Sequence, residues 1–116
     1  MSLVVTGTVA FDAIETPFGK TDKIVGGAAT YACLAASYFY KNVKMVGVVG
    51  DDLPKEDIQS FEDHGISTEG LQVKAGEKSF FWSGKYHNDM NSRDTLITDL
   101  NVLADFDPIL PESYQD

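Results

Sequence analysis

The stretch that decides the fold is Val25-Gly26-Gly27-Ala28-Ala29-Thr30-Tyr31-Ala32, a pair of glycines followed by small residues. No charged residue occurs from Ile24 to Tyr40, and this pattern predicts a helix that runs to about Tyr40 and packs between the layers of an α/β domain. Glycines at a helix start let backbone approach a ligand closely and leave N–H groups there as donors. The pair therefore indicates a candidate binding site, although glycines before helices are also common without one.

Strand-like segments lie on both sides of this helix in the chain. The β-branched, apolar runs at residues 3–8 and 43–49 predict buried strands. Pro54 then suits the first turn of a second helix, and His64-Gly65 provides its C-terminal signal. Strand, helix, strand and helix in this order imply parallel β-α units, so the predicted fold class is α/β.

The second half of the chain has the pattern of a β-hairpin. Residues 79–87 and 95–103 predict two strands, joined by a polar loop at 88–94. One face of the first strand carries Phe80, Trp82, Gly84 and Tyr86. Because a hairpin alone is marginally stable, it is expected to pack on the extended segment 9–16 or on another subunit.

The composition disfavours several classes of partner. Among 116 residues there are 9 Lys+Arg and 18 Asp+Glu, which gives a net charge of -9. The basic residues are scattered singly, whereas a phosphate backbone or an anionic membrane is bound by clustered ones, so neither partner is expected. The uncharged run at 24–40 includes glycines and polar residues, unlike a spanning helix. With no signal peptide visible at the start, a cytoplasmic location is expected.

Motifs for metals and nucleotides do not appear at the required spacing. His64 and His87 lie on different predicted elements, and there is no paired-cysteine or H-E-x-x-H motif, so no metal site is expected. Gly19-Lys20-Thr21 ends like a phosphate-binding loop, but Ile14 stands where that loop needs its first glycine. Cys33, in an apolar run, is interpreted as a small core residue.

Asp12 is the clearest polar candidate. It follows the first strand at its carboxyl end, which is where ligands of open α/β sheets bind. A carboxylate can accept hydrogen bonds from two neighbouring hydroxyls and so recognise a polyol. The alternative is an aspartate that caps a surface turn. We expect Asp12 and the glycine pair to converge on one polyol pocket beneath a β flap.

Together these features resemble the ribokinase-like (PfkB-type) carbohydrate kinase family. The similar motifs, in the family's order, are Val4–Asp12, Val25–Ala32, Val46–Asp52 and His64–Thr68. The resemblance covers roughly the first third of such an enzyme. It implies that residues 1–116 form the N-terminal part of a three-layer α/β/α (Rossmann-like) domain, with a small β-sheet lid from about 9–24 and 78–103.

The resemblance also implies a function. A complete enzyme of this family would use ATP and Mg²⁺ to transfer the γ-phosphate to a hydroxyl of a sugar or nucleoside. Its catalytic Asp and its ATP site lie further downstream, so this chain carries no catalytic residue and is expected to be inactive alone. The implied substrate-binding residues are Asp12, Gly26, Gly27, Tyr31, Trp82, Tyr86 and Arg93.

Two positions depart from the family pattern. Tyr31 stands where members commonly have a sugar-contacting Asn, and Ala10 stands where a polar residue is frequent. Both changes favour a modified or bulkier substrate over ribose. Trp82 and Tyr86 could stack on a sugar, or pack within the lid or against a second subunit, and Arg93 could reach the substrate or lie in an exposed loop.

Other functions stay open at this point. The chain could be a sugar- or nucleoside-binding module without catalysis, or a segment whose lid aromatics form a dimer. A homodimer through the lid is also expected. The chain ends at Ser113–Asp116, where a further element would be expected to follow.

Overall fold

The computed structural model describes residues 2–115. In chain order the elements are β1 (Leu3–Thr6), β2 (Ala10–Thr16), β3 (Gly19–Lys20), β4 (Ile24–Gly26), α1 (Ala28–Ser37), β5 (Val43–Gly50), α2 (Lys55–Asp63), β6 (Ile66–Lys74), β7 (Phe80–Tyr86) and β8 (Arg93–Asp99). Two short 3-10 helices follow, Asn101–Asp105 and Glu112–Tyr114. The mixture of helices with a parallel sheet confirms the predicted α/β class.

The first sheet is parallel and supplies the core. Its strand order is β1-β5-β6, with β5 in the centre. Helix α1 packs against β5, and α2 packs against β6. Apolar side chains of β5, including Met45 and Val49, are fully buried. Strand β6 was missed by the sequence interpretation, since Ser67, Thr68 and Glu69 interrupt its apolar pattern.

Two elements are more exposed than their sequence predicts. Strand β1 was expected to be buried, but it lies at the edge of its sheet and Leu3 and Val4 are exposed. Helix α1 was expected to lie between layers and to reach Tyr40; it ends at Ser37, and Ala29, Thr30 and Cys33 are its buried residues. Within residues 2–115 the helix therefore buries one side only.

The hairpin packs on the segment that precedes α1. The second sheet has the order β3-β2-β7-β8, and β4 pairs with β2. Strands β2 and β7 are parallel, which confirms the first of the two packing alternatives for the hairpin. Strand β8 begins at Arg93, two residues before the predicted start, because Arg93 pairs with Tyr86. Arg93 therefore lies in a strand, so its placement in a loop was wrong.

A partly buried hydrogen-bond network joins the two sheets. The Oδ1 atom of Asp52 accepts hydrogen bonds from the backbone N–H of Ser79 at 3.0 Å and from its hydroxyl at 2.7 Å. The Ser79 Oγ accepts a bond from the N–H of Gly50 at 2.9 Å, and the Asn101 amide donates to the Ser79 carbonyl at 2.9 Å. Ser79 immediately precedes β7, so the end of β5 holds the start of the second sheet.

Tyr114 closes the first sheet from the far end of the chain. Its hydroxyl accepts a bond from the N–H of Gly70 at 2.8 Å and lies 3.1 Å from the Met45 carbonyl. The register between β5 and β6 shifts between Lys44 and Val46, and a Cβ at Gly70 would meet the Tyr114 ring at 2.7 Å. The glycine and the tyrosine therefore fit together at this irregularity.

Replacing Asp52 tests the joint between the sheets. Asp52→Ala leaves the N–H and hydroxyl of the buried Ser79 without their acceptor, and we expect a loss of about 1–3 kcal/mol in the free energy of unfolding. Asp51→Ala is the matched control: its carboxylate accepts from the N–H of Gly76 in an exposed turn. That control should lose about 0.5–1.5 kcal/mol. Urea denaturation measures both, and equal losses would contradict a special role for Asp52.

Candidate functional site

One cleft gathers most of the residues that the sequence singled out. Its volume is about 340 Å³, and it lies at the start of α1 on one face of the second sheet. It is lined by Thr8, Ala10, Asp12, Gly27, Phe80, Trp82, Tyr86 and Arg93. Five of the sequence-predicted residues are therefore brought together: Asp12, Gly27, Trp82, Tyr86 and Arg93. Asp12 and Gly27 thus share a cavity, whereas Gly26, the other member of the glycine pair, does not line it.

Strand register explains why these side chains converge. Ala10 pairs with Phe80 and Asp12 with Trp82 across the parallel β2–β7 ladder. Because side chains alternate between the two faces of a sheet, every second residue of both strands points to the same face. Arg93 pairs with Tyr86 from β8 and so joins that face. A shift of one residue in the pairing would send the carboxylate of Asp12 to the opposite side.

Asp12 is a half-buried carboxylate without a partner of its own. It forms no hydrogen bond or ion pair with any residue that the structure describes. Burial disfavours its charged form and raises the pKa of Asp12 above its ordinary value. A partly desolvated acceptor that faces a cleft is available to hydrogen-bond donors of a ligand.

The glycine pair makes room for the protein's own atoms. A Cβ at Gly26 would overlap the Asp12 carboxylate, and the Tyr31 hydroxyl lies 3.1 Å from the same position. Gly26 and Tyr31 thus adjoin the cleft through Asp12 without lining it. Gly27 has a φ of 96° and a ψ of 159°, a conformation that only glycine adopts readily. A Cβ there would lie 2.5 Å from the Thr8 carbonyl oxygen.

Thr8 is a site residue that the sequence interpretation missed. Its Oγ1 accepts from the N–H of Ala28 at 2.9 Å, and its carbonyl accepts from the N–H of Ala29 at 2.9 Å. Two N–H groups at the start of α1, which had been considered as donors to a ligand, are thus already bonded within the chain. No local pattern could have revealed Thr8, since its partners lie 20 residues further along.

Trp82 and Arg93 form a layered arrangement on the sheet. The place that a Cβ would take at Gly84 is filled by the six-membered ring of Trp82. The indole Nε1 donates to the hydroxyl of Thr95 at 3.3 Å, and the Arg93 guanidinium lies 5.6 Å from the indole centroid. Because Gly84 has no side chain, the Trp82 indole packs against the sheet at that position. The Arg93 guanidinium lies over the indole.

A larger groove lies at the turns of the β2–β3 and β7–β8 hairpins, but Glu15, an acidic residue in its lining, is already ion-paired within the chain. It has a volume of about 1060 Å³ and is lined by residues 15–20, 85–89 and Ser92. Its Glu15 pairs with Lys20 at 3.8 Å and with Lys85 at 3.6 Å. The smaller cleft, whose charged side chains form no ion pair with any described residue, is therefore the candidate site.

Other candidate features lie elsewhere. Cys33 is fully buried in the core, where burial raises its pKa to about 11, as suits a structural thiol. Within residues 2–115 no three His, Cys, Asp or Glu side chains lie close enough to hold a metal ion. None of the described helices has the length and apolar character needed to cross a membrane.

The raised pKa of Asp12 has a measurable consequence for stability. The folded chain holds the Asp12 proton more tightly than the unfolded chain, so stability falls as pH rises through the raised pKa. Asp12→Asn removes a charge that is costly at neutral pH, and we expect a higher Tm than wild type at pH 7. The difference should shrink as pH is lowered to about 4, near the ordinary Asp pKa.

Glu15→Gln is the control for that measurement. Glu15 lies on the same strand but on the opposite face and is ion-paired, so its replacement should not raise the Tm. Differential scanning calorimetry from pH 4 to 7 decides the matter. An Asp12→Asn variant that is less stable than wild type at pH 7 would contradict the desolvation argument.

A glycine replacement tests the start of α1. Gly27→Ala forces alanine into a backbone region that costs about 1–3 kcal/mol, and the overlap with Thr8 adds to that loss. Gly76→Ala is the control, because Gly76 also has a positive φ of 75° but has nothing within 4 Å of its Cβ position. It should lose about 1–2 kcal/mol. Chemical denaturation compares the two, and a smaller loss for Gly27→Ala would refute the close fit to Thr8.

The chain is similar to several kinases of known sequence or structure. It is 31% identical over 117 residues to the cytidine kinase of Thermococcus kodakarensis, a match to 100% of this chain and 41% of that protein. The nucleoside kinase of Burkholderia thailandensis in complex with inosine matches 90% of this chain and 38% of its own, at 17% identity and a TM-score of 0.76. The chain thus spans well under half the length of these relatives.

A ribokinase of known structure is also similar in fold to this chain. The enzyme of Cryptococcus neoformans in complex with ADP matches 86% of this chain and 35% of its own, at 19% identity and a TM-score of 0.71. No model of a known protein family matches the chain. The resemblance predicted from the four motifs is nevertheless confirmed: the chain has the fold of part of a ribokinase-like carbohydrate or nucleoside kinase.

Proposed function

We propose that this chain is the substrate-binding part of an ATP-dependent kinase that phosphorylates a hydroxyl of a nucleoside or sugar. The observation that carries the proposal is the unpartnered Asp12 carboxylate, which shares a cleft with Gly27 and three aromatic side chains. The ribokinase-like fold supports the kinase class. Similarity to a cytidine kinase and to a nucleoside kinase in complex with inosine favours a nucleoside over a simple sugar.

The cleft residues would bind and orient the substrate. Asp12 would accept hydrogen bonds from two neighbouring ribose hydroxyls, because an ionised carboxylate is purely an acceptor. The Tyr31 hydroxyl, close to Asp12, would contribute a further contact in place of the family's common Asn. Phe80, Trp82 and Tyr86 would cover the apolar surface of the ligand and exclude water.

ATP and Mg²⁺ do not fit the described residues. These residues contain no cluster of acidic metal ligands, and the cleft has a single cationic side chain, Arg93. The proposal therefore assigns both groups to the remainder of the complete enzyme, together with the catalytic Asp. The 116-residue chain alone is expected to bind substrate without transferring phosphate.

The second sheet is proposed to act as the lid of the site, with the segments at about 9–24 and 78–103. A homodimer through this lid is part of the proposal. It is supported by exposed Leu96 and Ile97 on β8, which is an edge strand of its sheet. A cytoplasmic location is also part of the proposal, and the net charge of -9 disfavours nucleic acid or an anionic membrane as a partner.

A binding module without catalysis is the competing function. It would use the same cleft and the same Asp12 contacts, so ligand binding does not separate the two proposals. Formation of ADP from ATP in the presence of a nucleoside, measured on the complete gene product, does. Nucleoside binding without any such turnover would favour the module.

Ligand-induced stabilisation tests the role of Asp12. A ligand present at 100 times its Kd should stabilise the folded chain by about 2.7 kcal/mol. We expect cytidine or inosine to raise the Tm of wild type and of Glu15→Gln, because Glu15 lies on the opposite face of β2. Asp12→Asn should show little or no rise. An unchanged rise in Asp12→Asn would remove Asp12 from the site.

A further inference from the structure

Two opposite charges line the candidate cleft without pairing. Asp12 stands on β2 and Arg93 on β8, and both line the cleft. The Arg93 side chain forms no ion pair or hydrogen bond with another described residue, although its neighbour Asp94 pairs with His87 at 3.2 Å. No other charged side chain lines this cleft. It therefore presents an acceptor on β2 and a donor-only cation on β8, and these two charges balance.

A balanced pair of charges favours a neutral ligand. A phosphate monoester carries a charge of about -1.5 to -2 at pH 7, and Asp12 would repel it while Arg93 alone attracted it. A ligand with hydroxyl donors at one end and acceptor atoms at the other would satisfy both groups. A nucleoside has this arrangement, with ribose hydroxyls for Asp12 and base acceptors for Arg93.

The layer of Gly84, Trp82 and Arg93 places the guanidinium over the indole. The indole lies on Gly84, and Arg93 lies over the indole at 5.6 Å from its centroid. A guanidinium stacked on an aromatic ring has restricted freedom but keeps its planar fork of N–H donors. Such a fork binds best to two adjacent acceptor atoms.

We propose that Arg93, supported by Trp82, selects nucleosides whose base has two adjacent acceptors on one edge. This inference rests on the proposed nucleoside-binding function. Cytosine has such a pair in O2 and N3, and hypoxanthine has one in O6 and N7. Uracil has an N–H between its two carbonyls, and adenine has an amino group beside N7. Each base therefore presents a hydrogen-bond donor next to an acceptor, and the guanidinium, which only donates, cannot bond to that donor. The site prefers cytidine and inosine over uridine and adenosine.

Titration of the four nucleosides tests the proposal. Trp82 is the chain's single tryptophan, so its fluorescence reports directly on the cleft, and calorimetry gives independent Kd values. Wild type should bind cytidine and inosine roughly ten- to a hundred-fold more tightly than uridine and adenosine. Arg93→Lys keeps the charge but loses the fork, and should reduce that ratio to within about threefold.

Two further variants separate selectivity from folding. Gly84→Ala displaces the indole on which Arg93 rests, so it should reduce the ratio although Arg93 itself is present. Lys85→Gln changes a cation on the opposite face of β7 and should leave the ratio unchanged. Circular dichroism confirms that each variant is folded before its Kd values are compared.

The outcomes distinguish this inference from the proposed function. Equal affinities for all four nucleosides, or a ratio that survives in Arg93→Lys, would overturn the role of Arg93 while leaving nucleoside binding through Asp12 intact. Tighter binding of a sugar phosphate than of any nucleoside would overturn the argument from charge balance. If folded wild type binds no nucleoside and no sugar, the proposed function fails, and this inference fails with it.

Discussion

The parallel pairing of β2 with β7 is the contact on which the site depends. It joins two segments far apart in sequence, and it sets Asp12 beside Trp82. Because side chains alternate along a strand, that register decides which residues face the cleft. Without it the hairpin would have no partner within the described chain, and the carboxylate and the aromatics would not meet.

Two kinds of joint hold this sheet against the parallel core. Asp52 and Ser79 tie the end of β5 to the start of β7 through partly buried hydrogen bonds. Thr8 ties the chain between β1 and β2 to the first turn of α1, and Gly27 lets it come close enough. Thr8, Gly27 and Asp52 all lie in the motifs that resemble the kinase family. They therefore stabilise the fold in addition to any role in binding.

Asp12 shows how a binding site differs from the surrounding framework. The polar groups of Asp52, Ser79 and Thr8 have hydrogen-bond partners within the chain, and these bonds favour the folded state. Asp12 is instead a partly desolvated carboxylate without a described partner, and its raised pKa reflects the free-energy cost of that desolvation. Arg93, on β8, is a second charged group that lines the cleft, and among the described residues it contacts the Trp82 indole but forms no ion pair. Groups left unsatisfied by the fold are those that a ligand can satisfy.

The sequence alone determined the α/β class, the hairpin, the end of α2 and the choice of Asp12 and the glycine pair, since these depend on short-range patterns of apolar residues and glycines. Tertiary structure alone decided that β1 is an exposed edge, that Arg93 belongs to a strand, and that Thr8 caps α1. It also decided that Gly26 leaves room for the Asp12 carboxylate and that Gly27 leaves room for the Thr8 carbonyl. The reason is physical: pairing register and close contacts join residues that are distant in the chain, and local patterns carry no information about them.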